Sequence, residues 1–268
     1  MPRFVFLVVL ALSFPIGATS QTIPPSCSFA IAGNFVAQSV AIMRTGVATP
    51  YLLTAIIKTE TKLSDGNIIS GFTTSRQAQD SQGRTRVDSP LNCAMDSDHQ
   101  SKWQGSIAVT DPVAKTYTSW QEMLNAPTKI AIIMHVPSVR VSNPPTEQAE
   151  YRAMQHMSQA NDHAGPQTKH DSQQVEDLGR RNINGLEASG MRITRTSPEG
   201  MVGNLRPLSY VEEKWVSDQY GIILLDIKDD PIWGKSTYEV TSFARGEPDS
   251  SLFQPPADYK MDERTLSQ

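Results

Sequence analysis

The sequence lacks most of the residues and motifs from which reactive centres are built. It has only two cysteines in 268 residues and no C-x-x-C spacing, so the cysteines cannot form a zinc site alone. The motifs of α/β-hydrolases, zinc peptidases, dinucleotide-binding folds and P-loop enzymes do not occur. We therefore predict that the protein is not an enzyme and that it carries no cofactor and no metal.

The chain also lacks an apolar run of the roughly 20 residues that a membrane-spanning helix needs. The nearest approach is the run 4–12, which follows Arg3 and precedes the small residues Ala18 and Ser20. A positive charge, a short apolar core and a small-x-small exit predict a secretory signal peptide over residues 1–20. We therefore expect a periplasmic or secreted protein with no integral membrane segment after signal cleavage.

Basic residues are also fewer than acidic residues. Lys and Arg number 24 against 28 Asp and Glu, which gives a net charge of −4. Nucleic acids and anionic membranes are bound by clustered basic residues, so this balance argues against a nucleic-acid partner and against electrostatic docking on anionic lipid.

The two cysteines, Cys27 and Cys93, leave two alternatives open. In an oxidising compartment they could pair, and a bridge closing so long a loop would stabilise the fold by a few kcal/mol in the chain-entropy model. Pairing requires their Cα atoms to lie within about 7 Å, and otherwise they are two independent buried thiols.

Neighbouring acidic residues occur, but their spacing favours structural roles. Glu212 and Glu213 are adjacent in a predicted strand, so their side chains face opposite sides of the sheet and do not act together. Asp226, Asp229 and Asp230 offer oxygen ligands of the kind that Ca²⁺ prefers, although the charged end of a strand before the Pro231 turn is the favoured explanation.

Turn-forming residues recur at short intervals between segments rich in Thr, Ser, Val and Ile, which favour strands. The clearest turns are 64–67 (SDGN), 80–83 (DSQG), 111–115 (DPVAK), 184–185 (NG) and 197–200 (SPEG). Successive hairpins with few helices predict a mainly β fold, a long antiparallel meander that curls into a half-barrel or open barrel.

The same patterning divides the mature chain into four parts. N-terminal β hairpins are predicted over 21–136, and a polar linker or excursion over 137–174, where bulky apolar residues nearly vanish. C-terminal hairpins over 175–260 are expected to complete the same sheet, and 261–268 a flexible tail. Within the first part, residues 89–102 have little periodicity and are predicted to form a loop.

The C-terminal third carries a resemblance to known proteins. The segments are 184–190 (NGLEASG), 212–217 (EEKWVS), 245–253 (RGEPDSSLF) and 255–259 (PPADY). The chain resembles a group of uncharacterised exported proteins of soil bacteria, acidobacterial in type. More distantly, it is similar to the periplasmic lipoprotein-carrier (LolA/LolB-like) class.

The resemblance to the carrier class implies a curved antiparallel half-barrel whose concave face holds an acyl chain. It brings no catalytic residues with it. Two features depart from that class, namely the long polar linker and the absence of a clear lid helix.

Two continuous apolar runs, 130–134 and 222–225, are the best candidates for lining a ligand cavity, with ordinary core packing as the alternative. The candidate ligand-binding residues are Ile130, Ile132, Met134, Trp215, Ile222 and Leu224. Trp233 lies beside Gly234 in a turn, so we expect it to be exposed and available for a contact.

These observations favour an exported, non-enzymatic module that binds an apolar ligand, either a lipid or the acyl chain of a lipoprotein, on the concave face of a curled sheet. The alternative is a structural or protein-interaction module of the periplasm or cell surface with a filled core.

Overall fold

The computed structural model describes residues 27–28, 49–135 and 172–265. The described chain forms one sheet of twelve strands. In chain order the strands are β1 (Tyr51–Lys62), β2 (Ile68–Gln79), β3 (Thr85–Met95), β4 (Ser101–Asp111), β5 (Thr116–Glu122), β6 (Ile130–His135), β7 (Ser172–Ile183), β8 (Leu186–Ser197), β9 (Leu208–Ser217), β10 (Ile223–Asp230), β11 (Gly234–Arg245) and β12 (Lys260–Thr265). A 3-10 turn, Ser250–Phe253, is the one helical element of the described residues.

The strand order across the sheet is β12-β6-β5-β4-β3-β2-β1-β11-β10-β9-β8-β7. Every neighbouring pair is antiparallel except β12 and β6, which are parallel. Because the described strands β12 and β7 stand at opposite edges and do not pair, the sheet is open. The prediction of a mainly β, antiparallel and unclosed sheet is therefore confirmed.

Turn chemistry explains the hairpins locally. In the β7–β8 turn, Asn184 and Gly185 both have positive φ, 52° and 77°, as a type I′ turn requires. In the β1–β2 turn, the Leu63 N–H donates to the Asn67 carbonyl at 2.8 Å, and Gly66 has a φ of 87°. Both turns match the positions that the sequence predicts.

Strand β1 joins the two halves of the chain. It pairs with β2 on one side and with β11 on the other, with Tyr51 opposite Arg245 and a register shift between Thr54 and Ala55. The strands before and after the middle segment therefore belong to one sheet.

The structure differs from two sequence expectations. The predicted loop 89–102 is mostly strand, with Cys93 opposite Trp103, and only 96–100 turns. Ladder pairing satisfies the backbone there without any apolar periodicity. Of the predicted tail 261–268, residues 261–265 belong to β12, which pairs with the otherwise open edge of β6.

Some expectations concern residues that the structure does not describe. The predicted signal peptide, 1–20, lies outside the described residues, and so does most of the predicted linker 137–174. Its last residues, from Ser172, begin β7. In the described part of the chain, no helix has the length and apolar character needed to cross a membrane.

Buried residues form two clusters. The first lies on β1 and β8 to β11 and contains Tyr51, Leu53, Ala55, Leu186, Ala188, Trp215, Tyr220, Leu224 and Val240. The second lies between β2, β4, β5 and β6 and the connection from β11 to β12, and contains Ala78, Ile107, Val109, Trp120, Ala131, Phe253 and Tyr259. The second cluster supports the cleft described next.

Candidate functional site

A half-open cleft of about 490 Å³ lies over β4, β5, β6 and β12, next to the β5–β6 loop. Its volume falls in the range of small-molecule sites. The cleft is lined by Ser106, Tyr117, Ser119, Trp120, Gln121, Met123, Ala126, Thr128, Ile130, Ile132 and Arg264. We call it the β5–β6 cleft.

Strand alternation produces the two walls of the cleft. In β5, Tyr117 and Ser119 share one face, while Trp120 borders the cleft but has its side chain, only 3% exposed, in the second core cluster. The register places Ser119 opposite Ile132. A hydroxyl-bearing strand therefore stands beside an apolar strand, and together they give the cleft a mixed lining.

Strand β12 closes the outer side of the cleft. Its register with β6 places Asp262 opposite Ile132 and Arg264 opposite Met134. The Arg264 guanidinium donates to the Asp262 carboxylate at 2.6 and 3.0 Å. An ion pair at the edge strand thus stands beside the apolar wall.

The loops behind the cleft are fixed by polar contacts. The Tyr259 hydroxyl donates to the Gln121 carbonyl at 2.8 Å, and the Lys129 ammonium donates to Asp258 at 2.6 Å. The hydrogen bond to Asp258 raises the pKa of Lys129, and the same bond lowers the pKa of Asp258. Burial raises the pKa of Glu122, with the nearby Asp88 charge adding to it.

The lining of the cleft combines apolar and polar groups. The described residues that line the cleft include no carboxylate, histidine or cysteine. The groups with shifted pKa values, such as Glu122, do not line it. The arrangement offers apolar contact area, hydroxyl and amide partners, and one cation at the edge.

The structure separates the residues that the sequence singled out. Ile130 and Ile132 line the cleft, and Met134 continues their row along β6. Trp215 and Leu224 are buried in the first core cluster, and Ile222 packs against it. Six strands lie between β6 and β10 in the sheet, so the two apolar runs do not share a cavity.

Several lining residues were not predicted, among them Tyr117, Ser119 and Arg264. The polar–apolar alternation of β5 beside the apolar run of β6 could have indicated Tyr117 and Ser119. No local signal could have indicated Arg264, because its position depends on the parallel pairing of two distant segments.

A second polar group lies on β9 and β10. Glu212 contacts Lys214 at 3.3 Å and Lys228 at 3.8 Å, and Lys228 also contacts Asp226 at 3.3 Å. Burial raises the pKa of Asp226. Glu213 faces the other way and accepts a hydrogen bond from the Trp215 indole at 2.8 Å. Glu212 and Glu213 are thus separated, as alternation predicts.

The acidic run near β10 does not gather around a common point. Asp226 contacts Lys228, while Asp230 accepts hydrogen bonds from the backbone of the following turn. Among the described residues, no three His, Cys, Asp or Glu side chains are grouped so that they could hold a metal ion.

The two cysteines are joined by a disulfide, with their Cα atoms 6.1 Å apart. The Ser28 N–H beside Cys27 donates to the Phe72 carbonyl at 3.0 Å, so this short segment is held against β2 as well.

No protein-family model matches the sequence, and no curated protein matches it. Solved structures with some likeness include an uncharacterised conserved protein from Thermus thermophilus, at 12% identity over 81% of this chain and 91% of that one, with a TM-score of 0.36. MucB from the Pseudomonas aeruginosa MucA/MucB complex gives 10% identity over 79% and 57%, with a TM-score of 0.33. A putative outer membrane lipoprotein-sorting protein domain from Vibrio parahaemolyticus gives 11% identity over 78% and 91%, with a TM-score of 0.16. Likeness at these scores does not identify a family.

Proposed function

We propose that the protein is an exported, non-enzymatic binding module that holds the apolar chain of an amphiphile, such as a lipid or a lipoprotein acyl chain, in the β5–β6 cleft. The observation that carries this proposal is the pairing of two unlike walls in one cleft of about 490 Å³. Ile130 and Ile132 supply apolar area, while Ser119 and Arg264 supply polar partners at its floor and edge.

Burial of the apolar chain would roughly offset the cost of association. Each buried methylene contributes about 0.8 kcal/mol, so a chain of ten methylenes would contribute about 8 kcal/mol. That is comparable with the cost of association, which is of order 4–15 kcal/mol, so the polar partners would decide how tightly a particular amphiphile binds.

The disulfide supports export. A bond between Cys27 and Cys93 persists in an oxidising compartment and is rare in the cytosol, where thiols are kept reduced. It is consistent with the signal peptide predicted over residues 1–20 and with a periplasmic or secreted location.

The test is native mass spectrometry of residues 21–268, purified from a periplasm without detergent. We expect a discrete added mass that disappears on solvent extraction and matches a lipid. The matched variants are Ser119→Trp, whose indole would fill the cleft, and Ser119→Ala, which leaves it open. The first should lose the added mass and the second should keep it.

A clean apo mass that stays unchanged after incubation with mixed lipids would overturn the proposal. The alternative function, a structural or protein-interaction module, would then be favoured. An added mass retained equally by Ser119→Trp and Ser119→Ala would place the ligand elsewhere and overturn the assignment of the cleft.

A further inference from the structure

Exposed large apolar side chains are concentrated at one end of the sheet. Seven of them lie on or beside three turns, the β1–β2 turn, the β8–β9 loop and the β10–β11 turn. They are Leu63, Ile68, Met201, Val202, Leu205, Ile232 and Trp233. We call this set the apolar tip surface. Leu205 is 90% exposed and Trp233 is 62% exposed, so these side chains project into solvent.

Strand pairing places the three turns side by side. The β10–β11 turn adjoins the end of β1, where Glu60 stands opposite Lys235. The β8–β9 loop adjoins it on the other side, because the start of β9 pairs with the end of β10, with Val211 opposite Asp229. The apolar tip surface therefore spans six neighbouring strands, β2, β1, β11, β10, β9 and β8.

The opposite end of the sheet is different. Its turns are 80–84, 112–115, 184–185 and 218–222, and together they carry one exposed large apolar side chain, Val113, among the described residues. Scattered exposed apolar residues are normal on a protein surface, but a set gathered at one end marks an interaction site.

Hydrogen bonds and close backbone packing fix the turns that carry these side chains. Asp230 accepts hydrogen bonds from the N–H groups of Ile232 at 2.7 Å and Trp233 at 3.0 Å, which closes the β10–β11 turn. Gly234 has a φ of 88°, and a Cβ there would lie 2.3 Å from the Glu60 carbonyl oxygen. The turn backbone is thus packed tightly against β1, which fixes the positions from which Ile232 and Trp233 project.

The β8–β9 loop is closed in the same way by a single amide. Asn204 donates to the carbonyls of Pro198 at 2.9 Å and Arg206 at 2.7 Å, and its oxygen accepts from the Val202 N–H at 3.1 Å. These bonds satisfy the loop backbone and leave the side chains of Val202 and Leu205 exposed.

We propose that this end of the sheet docks on a lipid bilayer, with the apolar tip surface inserted at the boundary between headgroups and acyl chains. Aliphatic side chains on separate projecting turns suit a fluid surface that adapts to them. Tryptophan prefers this depth in bilayers, and Trp233 is accompanied by the charged residues Asp229 and Lys235, which would remain at the headgroup level.

The charged residues beside the apolar tip surface favour binding to electrically neutral lipid. The acids Asp65, Glu199, Asp229 and Asp230 lie in or next to the three turns together with the bases Lys62, Arg206 and Lys235, so no basic cluster forms there, and the net charge of the protein is −4. Attraction to anionic headgroups would need a basic cluster instead. Binding should therefore be driven by apolar insertion and should be insensitive to salt.

The apolar tip surface is separate from the cleft, but the β5–β6 loop of the cleft lies at the same end of the sheet. The β5–β6 loop, with Met123 and Ala126 in the cleft lining, leaves the sheet at the end that carries the apolar tip surface. A bilayer at this end would therefore lie on the side of the β5–β6 loop. Docking itself requires nothing from the cleft residues.

The test is partitioning of residues 21–268 into phosphatidylcholine vesicles, followed by flotation and by quenching of tryptophan fluorescence with brominated lipid. We expect binding that persists in high salt and quenching that disappears in Trp233→Phe. The paired variants Ile232→Ser with Trp233→Ser, and Val202→Ser with Leu205→Ser, should each weaken partitioning about tenfold or more. Val113→Ser, at the opposite end, is the matched control and should bind as the wild type does.

Three results would overturn the proposal. These are the absence of partitioning, partitioning that both paired variants retain, and binding confined to anionic vesicles and reversed by salt. A stoichiometric protein complex lost in the same variants, without vesicle binding, would assign the surface to a protein partner instead. Ser119→Trp should still partition, so failure of the cleft and failure of the docking surface are distinguishable.

Discussion

Trp215 is held by close contacts with three neighbouring residues. The Arg181 guanidinium lies 3.9 Å from the ring centroid, and the indole N–H donates to Glu213 at 2.8 Å. On the neighbouring strand, Gly190 lies so close that a Cβ there would be 2.6 Å from ring atoms. The missing side chain at position 190 is therefore what lets the ring lie flat on β8.

Gly190→Ala should lower the free energy of unfolding by about 1–3 kcal/mol, because the added methyl group overpacks a buried ring that has no room to move. Urea denaturation measures this loss. In a Trp215→Leu background the same substitution should cost much less, since the clash is gone. An equal cost in both backgrounds would mean that the backbone at 190, rather than the ring, needs glycine.

At the scale of elements, the connection from β11 to β12, residues 246–259, packs behind the cleft; we call it the strap. The Arg84 guanidinium lies 4.8 Å from the Phe253 ring centroid, and Arg86 donates to the Leu252 carbonyl at 2.7 Å. Arg86 is itself paired with Asp88 at 2.5 Å. The strap thus positions β12, which carries Arg264 of the cleft.

Phe253→Ala should destabilise the protein by about 3–5 kcal/mol, as expected for a buried phenylalanine. Because the strap positions β12, Phe253→Ala should accelerate exchange of the β12 amide protons more than that of the β1 amide protons. Hydrogen exchange followed by mass spectrometry measures this difference. Gln254→Ala, at an exposed neighbouring position, is the control. Uniform acceleration in all strands would contradict the special role of the strap.

The elements also differ in how much could be predicted from the sequence. Turns such as 64–67 and 184–185 were predictable because their residues determine local φ values. Strand β12 was not, because its partner β6 lies more than a hundred residues away and leaves no local pattern. The same contrast holds in the cleft, where an apolar run indicated Ile132 and nothing local indicated Arg264. That these residues bind a ligand remains a prediction.

At the scale of the whole molecule, the disulfide ties the described segment 27–28 to β3 across 66 residues of chain. The sequence left this pairing open, because it does not reveal a Cα separation. In the chain-entropy model a loop of this length contributes about 4 kcal/mol. The double substitution Cys27→Ser with Cys93→Ser should therefore lower the free energy of unfolding by about that amount in urea.

The control for this prediction is the wild-type protein in reducing buffer, which should unfold at the same urea concentration as the double variant. If reduction changes nothing while the double substitution destabilises, the loss comes from packing of the serine side chains rather than from the missing bond.

The pairing of β1 with β11 has a consequence for biogenesis. The Thr241 hydroxyl donates to the Thr54 carbonyl across a separation of 187 residues, so the middle of the sheet cannot form until most of the chain is available. A polypeptide translocated from its N-terminus would expose the open edges of β1 and β6 throughout transit. For the exported protein that we propose, assembly of the sheet would wait until translocation is nearly complete, and the early hairpins would be open to aggregation during that interval.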